Sequence, residues 1–254
     1  MSGPALDVRE VELRFGGLVA LGGASLSVEP GELHGIVGPN GAGKTTMFDV
    51  ITGVYRPARG SVWLEGVEIT SWAPHRRTRA GLARSFQTVG LAPGLTAREN
   101  VLATIEAIEK VKAVIAPPRA MRRRRDEVDE LLEFFGLGDV ADTQVTDLPL
   151  GTTKLLELAK VFAGRPKVVL LDEPFAGLSA TEAHPRVELI SQRREATGAG
   201  VVVIEHDVPL LLEACDRLTV LDYGTVVAQG DPHTVMASPE VRAAYMGEVV
   251  EEVL

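Results

Sequence analysis

Residues 38–46 read Gly-Pro-Asn-Gly-Ala-Gly-Lys-Thr-Thr, between an apolar run, Gly35-Ile36-Val37, and a stretch of helical spacing, Lys44 to Thr52. Gly38, Gly43, Lys44 and Thr45 fit the pattern G-x-x-x-x-G-K-[ST]. No other segment constrains the fold as tightly. A buried strand must end, the backbone must turn sharply through Gly38, Gly41 and Gly43, and a helix must start at once. Glycines let consecutive N–H groups approach phosphate oxygens where a Cβ would obstruct. Pro39, Asn40, Ala42 and Thr46 complete the loop. Lys44 is suited to reach β and γ phosphates, and the Thr45 hydroxyl to complete a magnesium shell. The positive N-terminus of the helix faces the same anion. The segment predicts a site for a nucleoside triphosphate with Mg2+.

The rest of the chain alternates strands and helices. Short, partly alternating runs at Val8–Phe15, Ala24–Val28, Val62–Leu64 and Val67–Ile69 predict an antiparallel sheet near the N-terminus. Val168–Leu171, Val201–Ile204 and Leu218–Leu221 are continuously apolar instead, as expected of parallel strands buried on both faces. Helical spacing at Leu155–Phe162 and Glu182–Glu195 separates them, which is the α/β pattern. The middle reads as helical, at Arg98–Ile115 and Met121–Phe135, with Pro117-Pro118 breaking between. We expect one domain over 1–254, its core formed by 1–87 and 164–254 and a mainly helical subdomain by 88–163.

Composition excludes several settings. A formal charge of −9 over 254 residues argues against nucleic acid as a partner, because phosphate backbones want a basic surface. The run Arg122–Arg125 is followed at once by Asp126, Glu127, Asp129, Glu130 and Glu133, which predicts a solvated helical face. A single cysteine, Cys215, fits a reducing compartment and a buried structural thiol. The N-terminus lacks a secretion pattern, and no run of 18 apolar residues exists. A soluble cytoplasmic chain is expected.

A phosphate loop alone does not separate kinases, GTPases and motor ATPases. Val168 to Leu171 ends in Asp172-Glu173, two carboxylates at the edge of a predicted parallel strand. Asp172 can hold magnesium through water, and Glu173 can polarise a water for in-line attack on the γ phosphate. The alternative, a helix N-cap, fits less well with a strand before the pair and Pro174 after it. A GTPase needs Asn-Lys-x-Asp, and neither Asn40 nor Asn100 is followed that way. A small-molecule kinase stays open on these two motifs.

The order of further motifs resembles the ATP-binding cassette (ABC) ATPases over nearly the whole chain. That resemblance implies a P-loop core with an antiparallel β subdomain and a helical subdomain. Phe15 stands where the family stacks an aromatic ring on adenine, a core Phe being the alternative. Gln87, in Arg84-Ser85-Phe86-Gln87, matches the glutamine loop that touches magnesium and the attacking water. Leu148-Pro149-Leu150-Gly151-Thr152 occupies the signature position, Ala176-Gly177-Leu178-Ser179 the D-loop, and His206 the switch histidine at the γ phosphate. His34, His75, His184 and His233 have no such context and read as surface or structural.

Two departures stand out. Pro149 and Leu150 replace the serine and first glycine of the family's Leu-Ser-Gly-Gly, leaving Gly151 for the close backbone approach and Thr152 or Thr153 as sources of a hydroxyl. Ser179 replaces the D-loop aspartate and forms an S-x-x-E capping box with Glu182. The family works as a head-to-tail dimer with ATP between one phosphate loop and the partner's signature. The resemblance therefore implies a second ATPase subunit, identical or homologous, and two membrane permease subunits. It also implies a solute-binding protein acting indirectly, and a peripheral place on the cytoplasmic face of the cell membrane. Arg14–Leu21, Gly81–Gln87 and Pro239–Gly247 look like the branched-chain amino-acid importers. Urea or aromatic-acid transporters, the lipopolysaccharide-export ATPase, a non-transport ABC ATPase and a P-loop kinase are the alternatives.

Overall fold

The computed structural model describes residues 3–85, 90–109 and 118–243. Its chain divides into two compact units, Met1–Leu82 with Lys167–Leu254, and Ala83–Pro166.

The first unit holds two sheets. In β1 (Leu6–Phe15), Leu6, Val8, Val11 and Leu13 are buried while Arg9, Glu10 and Arg14 are exposed. The alternation slips by one residue at Glu10, where φ is 46° and the register to both neighbouring strands shifts. Such a bulge lets Val8 and Val11 face the same core despite their odd spacing. β2 (Leu18–Val28), β4 (Arg59–Leu64) and β5 (Val67–Glu68) complete an antiparallel sheet in the order β2-β1-β4-β5. β2 begins at Leu18, earlier than its apolar run from Ala24, because it continues as a hairpin that pairs Leu18 with Phe15.

The second sheet has the order β10-β9-β3-β8-β7-β6. β3 (Leu33–Val37), β7 (Val168–Asp172) and β8 (Gly200–Ile204) are buried at every residue, and with β9 (Arg217–Asp222) they run parallel. β10 (Thr225–Gly230) turns back antiparallel on β9, and the chain leaves the unit within β6 (Leu82–Arg84). The helices of this unit are α1 (Lys44–Thr52), α2 (Pro74–Arg79), α6 (Ala180–Thr197), α7 (Val208–Ala214) and α8 (Pro232–Ala237).

Helix α1 ties the layers together. Its Met47, Phe48, Val50 and Ile51 share one apolar cluster with Val8, Leu26 and Val62 of the antiparallel sheet and with Ile36, Leu170 and Val202 of the parallel one. The C-terminal end of α1 is closed by Arg77, which is 1% exposed. Its guanidinium donates to Val50 O (2.8 Å), Ile51 O (2.7 Å), Thr70 O (2.7 Å) and Trp72 O (3.0 Å). A cation on the last carbonyls of a helix complements its dipole, and burial brings this guanidinium down to about 10. The helix that carries the phosphate loop is thus fixed along its length.

The second unit is helical, with α3 (Ala97–Glu109), α4 (Pro118–Phe134) and α5 (Leu150–Val161). α4 starts at the second of the two prolines rather than at Met121, since proline is well suited to a first turn. Residues 110–117, at the end of the predicted Arg98–Ile115 helix, lie outside the described residues. The basic run is not wholly solvated. Arg122, Arg123 and Arg125 are exposed, but Arg124 is buried and its guanidinium donates to Glu109. Helical periodicity turns that one arginine of the four toward α3.

Candidate functional site

The phosphate loop follows β3 directly, and its glycines are required by close backbone contacts. At Gly38 φ is 150°, and a Cβ there would lie 2.0 Å from Leu221 O in β9. At Gly43 φ is 101°, and a Cβ would lie 2.7 Å from Ala20 O in β2. The loop is held from outside by the Gly224 N–H, which donates to Ala42 O at 2.9 Å, and from within by Ala42 N–H to Pro39 O at 3.1 Å. Asn40, Gly41 and Thr45 are exposed, and Pro39 and Thr46 are half-buried.

Lys44 opens α1 and is 7% exposed. Its ammonium donates to Gly38 O at 2.5 Å and Pro39 O at 2.9 Å, arching back over its own loop. No side chain caps the start of α1 and no acidic residue stands in its first turn. The first N–H groups of a helix have no intrahelical acceptor. A loop of N–H groups, an uncapped helix start and a buried ammonium together make a strong anion site.

A second cluster forms at the C-terminal ends of β7 and β8, on the parallel sheet that carries the loop. β8 lies between β3 and β7, pairing Ile204 with both Ile36 and Asp172. Asp172 is 3% exposed at the last position of β7. Glu173 then turns the chain with φ 50°, in the left-handed region that a non-glycine residue seldom takes. Its N–H donates to Ile204 O (2.9 Å) and its carbonyl accepts from Ala176 N–H (3.2 Å). His206 follows β8, and its Nε2 lies 3.1 Å from Glu173 Oε1. An ionised carboxylate only accepts, so with Glu173 ionised the imidazole proton sits on Nε2 and donates. Two residues singled out separately in the sequence, 33 positions apart, thus form one pair.

Glu205, absent from the sequence-based site, lies beside this pair. It is 5% exposed, and its carboxylate accepts Phe175 N–H at 2.7 Å and His206 N–H at 3.3 Å. Burial pushes its carboxyl above the usual range, outweighing the hydrogen bonds from Phe175 and His206. The only sequence signal was a carboxylate ending an apolar strand, the same signal that marked Asp172.

Phe15 is 44% exposed, so it is not a core residue. Its ring meets Tyr55 edge-on, with centroids 5.0 Å apart and planes at 76°. Gln87 lies outside the described residues. Ser179 forms the expected capping box with Glu182. Cys215 is buried, and burial raises its thiol to about 12, so it is inert. His34 is fully buried between Glu32 Oε1 (2.8 Å) and Thr219 Oγ1 (2.7 Å), a structural role.

In the helical unit, Pro149 stands at the N-cap position of α5 and offers no side-chain bond. Leu150 is 69% exposed, and Gly151 and Thr152 are partly exposed. Thr153 is buried and its hydroxyl donates to Leu150 O at 2.8 Å, so it is committed to the helix's own first turn. Of the two threonines, Thr152 is the one on the surface.

The chain is similar to known proteins over nearly its whole length. The family described as ABC transporter matches residues 21–176, and the family described as branched-chain amino acid ATP-binding cassette transporter matches 225–251. The chain is 35% identical to the high-affinity branched-chain amino acid transport ATP-binding protein BraF of Pseudomonas aeruginosa, covering 98% of this chain and 100% of that one. LivG of Escherichia coli, described in the same words, gives the same figures. The lipopolysaccharide export ATP-binding protein LptB of Haemophilus influenzae is 33% identical over 88% of this chain and 89% of its own. Among solved structures, the ADP conformation of an ATP-binding cassette of an ABC transporter superposes with a TM-score of 0.84 at 29% identity. It covers 96% of this chain and 99% of its own.

Proposed function

We propose, for a chain that belongs to the ABC transporter family of ATP-binding cassettes, that it is the ATP-hydrolysing subunit of an importer of branched-chain or other hydrophobic amino acids. The observation that carries the catalytic reading is the Glu173–His206 pair, set on the same parallel sheet as the phosphate loop. The substrate reading rests on BraF and LivG, which match nearly end to end, and on the second family at the C-terminal end. LptB matches over a smaller share of the chain, so lipopolysaccharide export is the weaker reading.

The loop from Gly38 to Thr46 cradles the phosphates through backbone N–H groups. A Cβ at Gly38 or Gly43 would collide with backbone there, so the cradle admits no larger residues. On nucleotide binding, Lys44 exchanges its two carbonyl acceptors for phosphate oxygens, which accept more strongly. The Thr45 hydroxyl and, through water, the Asp172 carboxylate are hard oxygen donors that fit Mg2+, and Gln87 would complete the set. Held there, Mg2+ would supply charge neutralisation to the phosphates. Glu173 Oε accepts the proton of a water that attacks the γ phosphorus in line, and that water's oxygen forms the new bond as the β–γ bridge breaks. His206 orients Glu173 through Nε2 and faces the γ phosphate. Phe15 provides the ring for the base.

Among the described residues no helix is long and apolar enough to cross a membrane. In this reading separate permease subunits carry the solute across, with the cassette peripheral on their cytoplasmic side. A second cassette supplies the facing signature, to which Gly151 and Thr152 contribute in this chain. The test is reconstitution with a pair of permeases and a solute-binding protein of this transporter class, sought first among the neighbouring reading frames. The expected result is ATP-dependent accumulation of leucine, isoleucine or valine. A complex that hydrolyses ATP but accumulates neither these three nor another hydrophobic amino acid overturns the substrate reading.

A further inference from the structure

Glu205 has no place in the mechanism above, yet its setting is unusual. A buried carboxylate is costly, and an apolar residue of similar size at such a place is often as stable or more so. Stability of the core does not account for it. What the carboxylate does is bridge two turns. Oε1 accepts the N–H of Phe175, two residues beyond Glu173, and Oε2 accepts the N–H of His206. Those turns carry the two members of the Glu173–His206 pair.

The turn at Glu173 needs holding. Glu173 has φ 50°, a conformation that persists only where the surroundings over-determine it. Before the turn, β7 fixes the chain through Asp172 paired with Ile204, and Glu173 N–H is tied to Ile204 O. After it, the chain is tied by Ala176 N–H to Glu173 O and by Phe175 N–H to Glu205. The bond to Glu205 is the shorter of these last two, at 2.7 Å against 3.2 Å.

We propose that Glu205 is a positioning residue for hydrolysis: by joining the Phe175 and His206 backbones it keeps the Glu173 carboxylate against His206 in the orientation that serves the attacking water. The inference rests on Glu173 being the base. Glu205 touches neither the nucleotide nor the water in this reading and acts only through its neighbours.

The test uses the full chain assembled with its membrane subunits. Glu205→Leu leaves Phe175 N–H without its acceptor, and the resulting misplacement should lower kcat by about ten- to a hundredfold with KM for ATP within about twofold. Glu205→Gln keeps an oxygen for Phe175 N–H but turns a donor NH2 toward His206 N–H, so it should fall between the parent and Glu205→Leu. In the Glu173→Gln background, Glu205→Leu should cost nothing further, because residues acting as one unit are not additive. A parental rate for Glu205→Leu overturns the proposal. So does a Glu205→Leu loss that persists in full on top of Glu173→Gln. If Glu205→Leu does not accumulate folded, Glu205→Asp replaces it, since its shorter arm retracts the acceptor while keeping the charge. It must show the same split between kcat and KM, and full activity in it overturns the proposal. An active Glu173→Gln would instead remove the reading of the base. An inactive Glu173→Gln beside a fully active Glu205→Leu removes only the role of Glu205.

Discussion

Glu173→Gln isolates chemistry from structure better than any other change in this chain. Glutamine has nearly the size of glutamate, and its amide oxygen can still accept from His206 Nε2, now 3.1 Å from Glu173 Oε1. The backbone bonds of residue 173 to Ile204 and from Ala176 do not involve the side chain. The left-handed φ of 50° is borne equally by either residue. What disappears is basicity alone. Proton transfer by a positioned group contributes about 10²–10⁴-fold, which corresponds to about 2.7–5.5 kcal/mol of barrier. We therefore expect kcat to fall at least about a hundredfold while ATP affinity stays within about twofold. Phosphate release at saturating ATP gives the first quantity, and titration with labelled ATP the second. A variant that hydrolyses ATP at the parental rate refutes Glu173 as the base. A variant that loses affinity in proportion to rate shows instead that residue 173 shapes the binding site.

Lys44→Ala removes the buried ammonium that now spans Gly38 O and Pro39 O, and with it a charge-assisted contact to phosphate worth about 1.5–3 kcal/mol. ATP Kd should rise by about ten- to a hundredfold or more, and unchanged affinity in the same titration would count against the loop's role. At the start of α5, Gly151→Asp places a negative charge where the partner's γ phosphate is proposed to lie. It should abolish turnover of the assembled transporter without weakening ATP binding, whereas Pro149→Ser should be tolerated. Normal turnover in Gly151→Asp means that residues 148–152 do not meet a nucleotide.

Much of this site was legible because its chemistry is local. The loop from Gly38 to Thr46 announces itself by the spacing of its glycines and Lys44, although the crowding that demands Gly38 and Gly43 comes from Leu221 O and Ala20 O on other strands. The apolar runs ending at Leu171 and Ile204 could only be strands buried on both faces, and β7 and β8 are buried at every residue. Where chain segments interact at long range, the reading was incomplete. β2 began six residues earlier than its apolar run, at Leu18 rather than Ala24, because a hairpin partner and not its own composition extends it. Arg124 looked solvated and is buried, because only packing against α3 tells one arginine of the run from the next.

The sequence by itself determined that a strand, a glycine loop and a helix would meet a phosphate, and that two carboxylates would end a nearby parallel strand. Spacing along one chain is enough for that, since each motif is a short run of consecutive residues. Only the tertiary structure decided that Glu173 and His206 form a pair, that Arg77 closes α1, that Phe15 stands exposed beside Tyr55, and that Glu205 bridges two turns. Those contacts join residues 26 to 40 positions apart through strand order and register. A buried carboxylate such as Glu205 has no periodicity or motif to announce it. Its meaning comes from the N–H groups of Phe175, in the turn after β7, and of His206, the next residue along the chain.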